Sequence, residues 1–325
     1  LLAGWRDSLQ HRGAFAQLSQ EVATQLELSN RLNSLTTQEV WCWAEVTSFE
    51  AVEQALIREL VAGLLGGDLG LSRSDFSQII SRRRQGFWPG FEPKYAHLYQ
   101  ALLHAENLLE LRRNYPDGFH FSSAQAMYQA YETELFQFDA AYRLFNEALL
   151  HLQGQAVEVL AAVADKIEDL YVNWYLYQLG LAWDGLLAKQ QLLARWELGV
   201  PTQARFYDTV VKPRFAQAGV KRQFVIISDA LRYEVAHELQ GQINEAKRFA
   251  AKLTSQLGVL PSYTQLGMAA LLPHQQIDYA QGSATVLVDG QSSAGLDNRS
   301  AILAKVGGIA ISAKSLQGWT RAQAN

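Results

Sequence analysis

The sequence has a single cysteine, Cys42, among its 325 residues. No disulfide can close within the chain, and a reducing compartment is the matching environment. Long apolar runs are also missing. The longest uncharged segment of membrane interest, residues 170–183, has 14 residues and includes Asn173 and Gln178, which is too short and too polar to cross a bilayer. The opening LLAGWRDSLQ has neither a basic lead nor a small-residue cleavage pattern, so no secretory signal is expected. Charge of one sign is lacking too: the net charge is −4 and the isoelectric point near 6.0, with no global nucleic-acid signature. Histidine is scarce. None of the seven (His11, His97, His104, His120, His151, His237, His274) forms a pair at ligand spacing, although His97 and His104 share a helical face. These absences together predict a cytoplasmic protein without a membrane segment.

What is present is globular: 49% hydrophobic residues, 18% charged residues and 35 aromatics, on a length that favours two domains. Residues 1–198 read as helical almost throughout. Thr36-Thr37-Gln38-Glu39 and Thr47-Ser48-Phe49-Glu50 have the spacing of capping boxes. Tyr131, Leu135, Phe138, Tyr142, Phe145 and Leu149 recur at steps of three and four, as do Leu160, Val163, Ile167, Leu170, Trp174, Tyr177 and Leu181. Each set predicts a long helix with one apolar seam. Breakers fall at Gly66-Gly67, Trp88-Pro89-Gly90 and Tyr115-Pro116-Asp117-Gly118.

After Gly199-Val200-Pro201, residues 199–220 read as a connector and residues 221–325 as a second domain of alternating strands and helices. Strands are expected at 224–227, 251–260 and 285–288, and helices at 231–240, 265–272 and 298–306. That alternation predicts an α/β domain with a mostly parallel sheet behind a helical N-terminal domain. Of the 28 basic and 32 acidic residues, 10 and 7 fall in 221–325, leaving 18 and 25 in 1–220. The asymmetry suits an anionic ligand on the C-terminal part, with surface charge that binds no ligand as the commoner explanation.

The stretch QFVIISDALRYEVAHEL, residues 223–239, puts Asp229 where an apolar run gives way to an amphipathic helix. In open α/β sheets such turns carry ligand-binding residues, and an Asp there also serves as a helix cap. Thr264, in PSYT, stands before a second helical stretch. Its hydroxyl would sit at a helix N-terminus, where an anion is favoured, or simply cap the helix. Asp289-Gly290 reads first as a turn. Arg82-Arg83-Arg84 followed by Phe87 and Trp88 reads as a solvated helix end, with contact to nucleic acid as the alternative.

The stretches SDALRYEVAHEL (228–239) and LPSYTQLGMAALLPH (260–274) resemble the PglZ family of BREX phage-resistance systems. The likeness extends through SRRRQGFW (81–88), YRLFNEAL (142–149), YVNWYLYQLGLAW (171–183) and VDGQSSAGLDNR (288–299), and so covers most of the chain. It implies a partial alkaline-phosphatase-like α/β domain at 221–325, with Asp229 as ligand of a catalytic divalent metal, usually zinc. It also implies Thr264 as the attacking nucleophile and a metal-bridging ligand. Because both follow strand candidates and precede helices, Asp229 and Thr264 are expected at the carboxyl ends of neighbouring strands, facing one cleft, with oxygens less than about 8 Å apart. The further Asp and His ligands of that superfamily are not found, and oxygen ligands alone also suit manganese or magnesium. The chain thus reads as a fragment of a longer metal-dependent phosphatase or phosphodiesterase. Its implied partners are other BREX proteins and its implied substrate a phosphoester, including a nucleotide or nucleic acid. The competing reading is a non-catalytic assembly subunit of the same defence complex.

Overall fold

The computed structural model of the chain describes residues 2–68, 70–152, 154 and 156–316, in two compact units, Leu1–Leu193 and Ala194–Asn325. The last nine residues of the expected 221–325 domain, 317–325, lie outside the described residues.

The first unit is helical, and no strand occurs among its described residues. Its central strut is the helix Pro93–Arg113, opened by a proline at its first position, where the missing N–H costs nothing. Tyr95, Leu98, Tyr99, Leu102, Ala105 and Leu108 are buried on it, together with His104 and Glu106. Burial on so many sides follows from its neighbours: helices Phe136–His151, Arg73–Arg84, Glu50–Gly66 and Ala161–Glu168 all pack against it. The capping box at Thr36 forms, with the Thr36 amide donating to Glu39 at 2.8 Å. The one expected at Thr47 does not. That helix begins at Glu50, whose carboxylate instead accepts from the Tyr95 hydroxyl at 2.7 Å and from Gln20 at 3.1 Å. Its far end stops at Gly67, in the left-handed conformation, as the glycine pair predicts.

The first apolar seam holds: Leu135, Phe138 and Phe145 are buried, and Tyr131, Tyr142 and Leu149 pack against the same core. The second changes face partway. Leu160, Val163, Ile167 and Leu170 are buried as expected, but the core then takes Tyr171 and Tyr175, while Tyr177 and Leu181 are 58% and 53% exposed. The cause is a π-helical segment, Asp169–Leu176. Its wider turn advances the apolar face by a residue relative to an α-helical count. A second π-helical segment, Tyr131–Leu135, lies opposite. The hydroxyls of Tyr131 and Tyr171 both donate to the buried carboxylate of Asp139, each at 2.6 Å.

One buried ion pair joins the N-terminal half of this unit. Glu53, on the 50–66 helix, is fully buried and Arg83, near the end of the 73–84 helix, is 1% exposed. Arg83 Nε donates to Glu53 at 3.0 Å, while Nη1 donates to the carbonyls of Ala44 and Val46 at 3.3 and 2.8 Å. The Tyr99 hydroxyl donates to the same carboxylate at 2.5 Å. Burial pushes the Glu53 carboxyl above its ordinary range, and the Arg83 charge opposes that rise.

The second unit departs from expectation. Its sheet is antiparallel, not parallel: β1 Ile277–Tyr279, β2 Val286–Val288 and β3 Gln291–Ser292, in that order. Only β2 lies where a strand is expected. Residues 224–227 join no ladder, and Phe224 and Ile226 are 75% and 92% exposed. A strand buried on both faces needs hydrogen-bonding neighbours and covering helices, and none of the described residues supplies them there. Segment 251–260 contributes one isolated parallel bridge, Leu257 to Thr202. The expected helices do form, as Tyr233–Glu245, Thr264–Ala270 and Gly295–Ala304. Leu266, Ala269 and Leu272 pack with Val286, Val288 and Ile302 in a small core.

Replacing Arg83 by Met would leave the Glu53 carboxylate buried without its cation. The expected loss is about 3–5 kcal/mol, and the double substitution Arg83→Met, Glu53→Leu should recover most of it. Urea denaturation of the single and double variants checks this; an Arg83→Met chain as stable as the parent would contradict it.

Candidate active site

Asp229 sits in a turn. Ala230 beside it is left-handed at φ 57°, and its amide donates to Asp229 Oδ1 at 3.1 Å. The following helix begins only at Tyr233, and its capping residue is Arg232. Asp229 is therefore no helix cap. Thr264 is the first residue of the 264–270 helix, whose capping residue is Tyr263, so Thr264 is not the cap either. Its hydroxyl is directed elsewhere: Thr264 Oγ1 donates to Asp229 Oδ2 at 3.3 Å. Two residues 35 apart in sequence are thus brought together, well inside the expected separation, although neither follows a paired strand. The distance exceeds the range of roughly 2.5–3.0 Å for a strong O–H···O bond. The helix behind Thr264 has seven residues, too few aligned peptides to make it a strong anion site of its own.

The loop carrying Thr264 is fastened from the connector. The Gln203 side chain accepts from the Val259 amide at 3.3 Å and donates to the Gly267 carbonyl at 3.1 Å, one contact before Thr264 and one after. A Cβ on Gly267 would lie 3.3 Å from Gln203 Nε2, so a glycine there permits the close approach. Trp196 Nε1 donates to the Gly258 carbonyl at 2.7 Å, and the backbones of Gln203 and Pro201 bond to Leu257. Neither Trp196 nor Gln203 is marked by any motif in the sequence. Each lies in or beside a segment that reads only as a joint, and only the folded chain shows what they hold. Tyr263, next to Thr264, shares a hydrogen bond with Tyr279 that pushes its hydroxyl up to about 12.

Asp289 is the turn residue its Asp-Gly pair suggests. It is left-handed at φ 48°, and Oδ1 accepts from the amides of Gln275 and Gln276 at 3.0 and 2.8 Å. Those two amides hold its carboxyl below the ordinary value of 3.8. His237 lies exposed on the 233–245 helix, and His274 Nδ1 contacts the Leu272 carbonyl at 2.7 Å. His97 stacks on His151, with ring centroids 5.1 Å apart, and His104 is buried against Gln100. Among the described residues no three His, Cys, Asp or Glu side chains converge to hold a metal ion. The Asp229 carboxylate and the Thr264 hydroxyl are oxygen donors that suit a divalent cation, but such an ion takes about four to six donors. Asp229 and Thr264 supply two such donors, and among the described residues no group of three His, Cys, Asp or Glu joins them.

The comparisons place the second unit in a class. Residues 206–325 match the family model for the BREX system PglZ alkaline phosphatase-like domain, which takes in both Asp229 and Thr264. The chain belongs to the PglZ family of BREX systems. It is 42% identical over 314 residues to the alkaline phosphatase-like protein BrxZ of Escherichia coli O9:H4 (strain HS), an alignment spanning 96% of this chain and 36% of that protein. It is 34% identical over 234 residues to the alkaline phosphatase-like protein PglZ of Bacillus cereus (strain H3081.97), spanning 71% of this chain and 26% of that protein. The chain thus covers about a third or less of the length of these relatives. No solved structure matches it significantly.

Two outcomes are expected at this site. Gln203→Ala removes both fastenings of the Thr264 loop while Gln203→Glu keeps the acceptor, so hydrogen exchange at Val259 should quicken in the first variant and less in the second. For Asp289, a depressed carboxyl stabilises the fold above its unfolded value, near 3.8, and that contribution is lost as pH falls through the lower folded value. Protection of the Gln275 and Gln276 amides should therefore fade with acidification in that window, and an Asp289→Asn chain should lack the transition. Identical acid profiles for parent and variant would contradict this.

Proposed function

We propose that this chain carries the nucleophile edge of a metal-dependent phosphohydrolase, a phosphatase or phosphodiesterase acting in bacterial anti-phage defence. The observation that carries the reading is the approach of Thr264 Oγ1 to Asp229 Oδ2 at 3.3 Å, with neither side chain used as a helix cap. Thr264 is the attacking group. Asp229 accepts the hydroxyl hydrogen bond and is placed to draw off the proton as the oxygen attacks phosphorus. The P–O bond to the ester's alcohol breaks, and that alcohol leaves as it takes up a proton. Water then cleaves the phosphothreonine to release phosphate or phosphomonoester and restore the Thr264 hydroxyl. Asp229 and Thr264 would hold a divalent cation, zinc by family likeness and manganese or magnesium by oxygen-donor chemistry; when bound, it would lower the hydroxyl pKa and neutralise phosphate charge. Gln203 and Trp196 act through the loop and keep Thr264 facing Asp229. The substrate is a phosphoester, a nucleotide or nucleic acid among the candidates. The working partners are other BREX proteins and the compartment is the cytoplasm, with no helix of the described residues long and apolar enough to cross a membrane.

A second reading is supported by a different observation. The described residues hold no group of three metal ligands, and the apolar run 224–227 is exposed, as would suit a domain whose role is to assemble with others. The two are separated with the full-length parent protein, assayed on bis(p-nitrophenyl) phosphate with added zinc or manganese. Folding is checked by circular dichroism and metal content by atomic emission. Thr264→Ala is expected to lose on the order of a hundredfold or more in turnover, Asp229→Ala to lose both metal and activity, and Thr264→Ser to recover part of the rate. Full activity in Thr264→Ala would end the nucleophile assignment, and an inactive, metal-free wild type would favour the assembly role.

A further inference from the structure

The helical unit holds an open cavity of about 460 Å³ far in sequence from Asp229 and Thr264. Three arginines from three segments line it: Arg6 at the end of the helix Leu2–Arg6, Arg12 at the start of the helix Arg12–Gln25, and Arg82 in the last turn of the 73–84 helix. The hydroxyl residues Ser8 and Thr47 and the amide side chain of Gln85 also line it, and Asp7 is the one carboxylate of the lining. The formal balance of the wall is therefore two positive charges, in a unit that is acidic as a whole. Sequence reading treats Arg82-Arg83-Arg84 as one solvated run. The fold divides it, burying Arg83 against Glu53 and turning Arg82 to the cavity.

The arginines differ in how they are held. Arg12 is fixed: Nη2 donates to the Gly90 carbonyl at 2.5 Å, and its guanidinium lies 5.2 Å from the centre of the Phe91 ring. Arg6 pairs with its neighbour Asp7 at 2.8 Å, and Arg82 pairs with Glu45 just outside the lining. Both are solvent-exposed ion pairs, with side chains 37% and 65%, and 62% and 74%, exposed. Such pairs are weak in water and yield readily to a stronger anion. A planar guanidinium matches a two-oxygen edge of phosphate, which it binds through paired N–H groups. Beside the arginines the wall presents Phe87, stacked on Phe91 at 5.3 Å and met edge-on by Phe15 at 4.7 Å. A rigid, partly exposed aromatic next to guanidinium groups is the arrangement on which a nucleobase stacks while its phosphate is neutralised. The volume is that of a small-molecule site and exceeds what one inorganic phosphate needs.

We propose that this cavity binds a nucleotide phosphate, through Arg6, Arg12 and Arg82, with the attached base against Phe87. The site is separate from the phosphohydrolase reading and does not depend on it. The phosphate can belong to a free nucleotide or to a single strand of nucleic acid, and the same titration distinguishes them. A fluorescently labelled single-stranded 12-mer is titrated into the 325-residue chain by anisotropy across a salt series, with AMP and inorganic phosphate as competitors. Arg82→Ala and Arg6→Ala should each weaken binding by about three- to tenfold and reduce the salt slope by roughly one. Arg73→Ala, at the other end of the helix that carries Arg82, removes the same charge from an exposed position paired with Glu110 at 3.4 Å, and should leave binding unchanged. Displacement by AMP marks a free nucleotide as the ligand, and resistance to AMP marks the strand; either result supports the site. Absence of saturable binding would overturn it, as would an Arg73→Ala loss equal to that of Arg82→Ala, since the attraction would then be general charge.

Discussion

The helical unit is organised around a charge that has nowhere else to go. Glu53 lies on a helix face that is otherwise Val52, Leu56 and Leu60, and an ionised carboxylate in such surroundings must be paired and hydrogen-bonded. Arg83 and Tyr99 meet that demand from two other helices, and the remaining guanidinium donors take the carbonyls of Ala44 and Val46. Four chain segments are thus fixed in mutual register by one polar contact. The chain then turns sharply after Arg83. Gly86 passes so close to the Arg83 carbonyl that a Cβ there would sit 2.9 Å from it, which explains the glycine between the basic run and Phe87. The orientation of Arg82 toward solvent and of Phe87 toward its aromatic neighbours follows from the same turn.

Most of the helical unit was legible in the sequence because helix periodicity is local. Leu135, Phe138 and Phe145 could be assigned to one face by counting. The count failed where the hydrogen-bonding pattern widened, at 169–176, since no residue type in DLYVNWYL announces a π turn. Trp174 still packs against the core as expected, but Tyr171 and Tyr175 took the core places that Tyr177 and Leu181 were expected to fill. In the second unit the helices were read correctly and the sheet was not. A strand is defined by its partner, and an apolar run such as 224–227 has strand character without containing its own neighbour.

The candidate site was legible in a similar, partial way. Asp229 and Thr264 were found because each stands where one period stops and another begins, and the family likeness, not the spacing, suggested roles for them. The reading of each as a helix cap is not what the structure shows, because the helices begin at Tyr233 and after Tyr263. Gln203 could not be found at all. Its importance lies in spanning Val259 and Gly267, a relation that exists only once the connector and the loop are side by side.

The exposed run at 224–227 also bears on solubility. Four consecutive apolar residues of high strand propensity, with no ladder to satisfy their amides and carbonyls, form the kind of window that recruits copies of itself into aggregates. Lys221 and Arg222 stand immediately before it and Asp229 soon after, and charges flanking an apolar run oppose such stacking. Removing the Asp229 charge would therefore act on the handling of the protein as well as on the contact with the Thr264 hydroxyl.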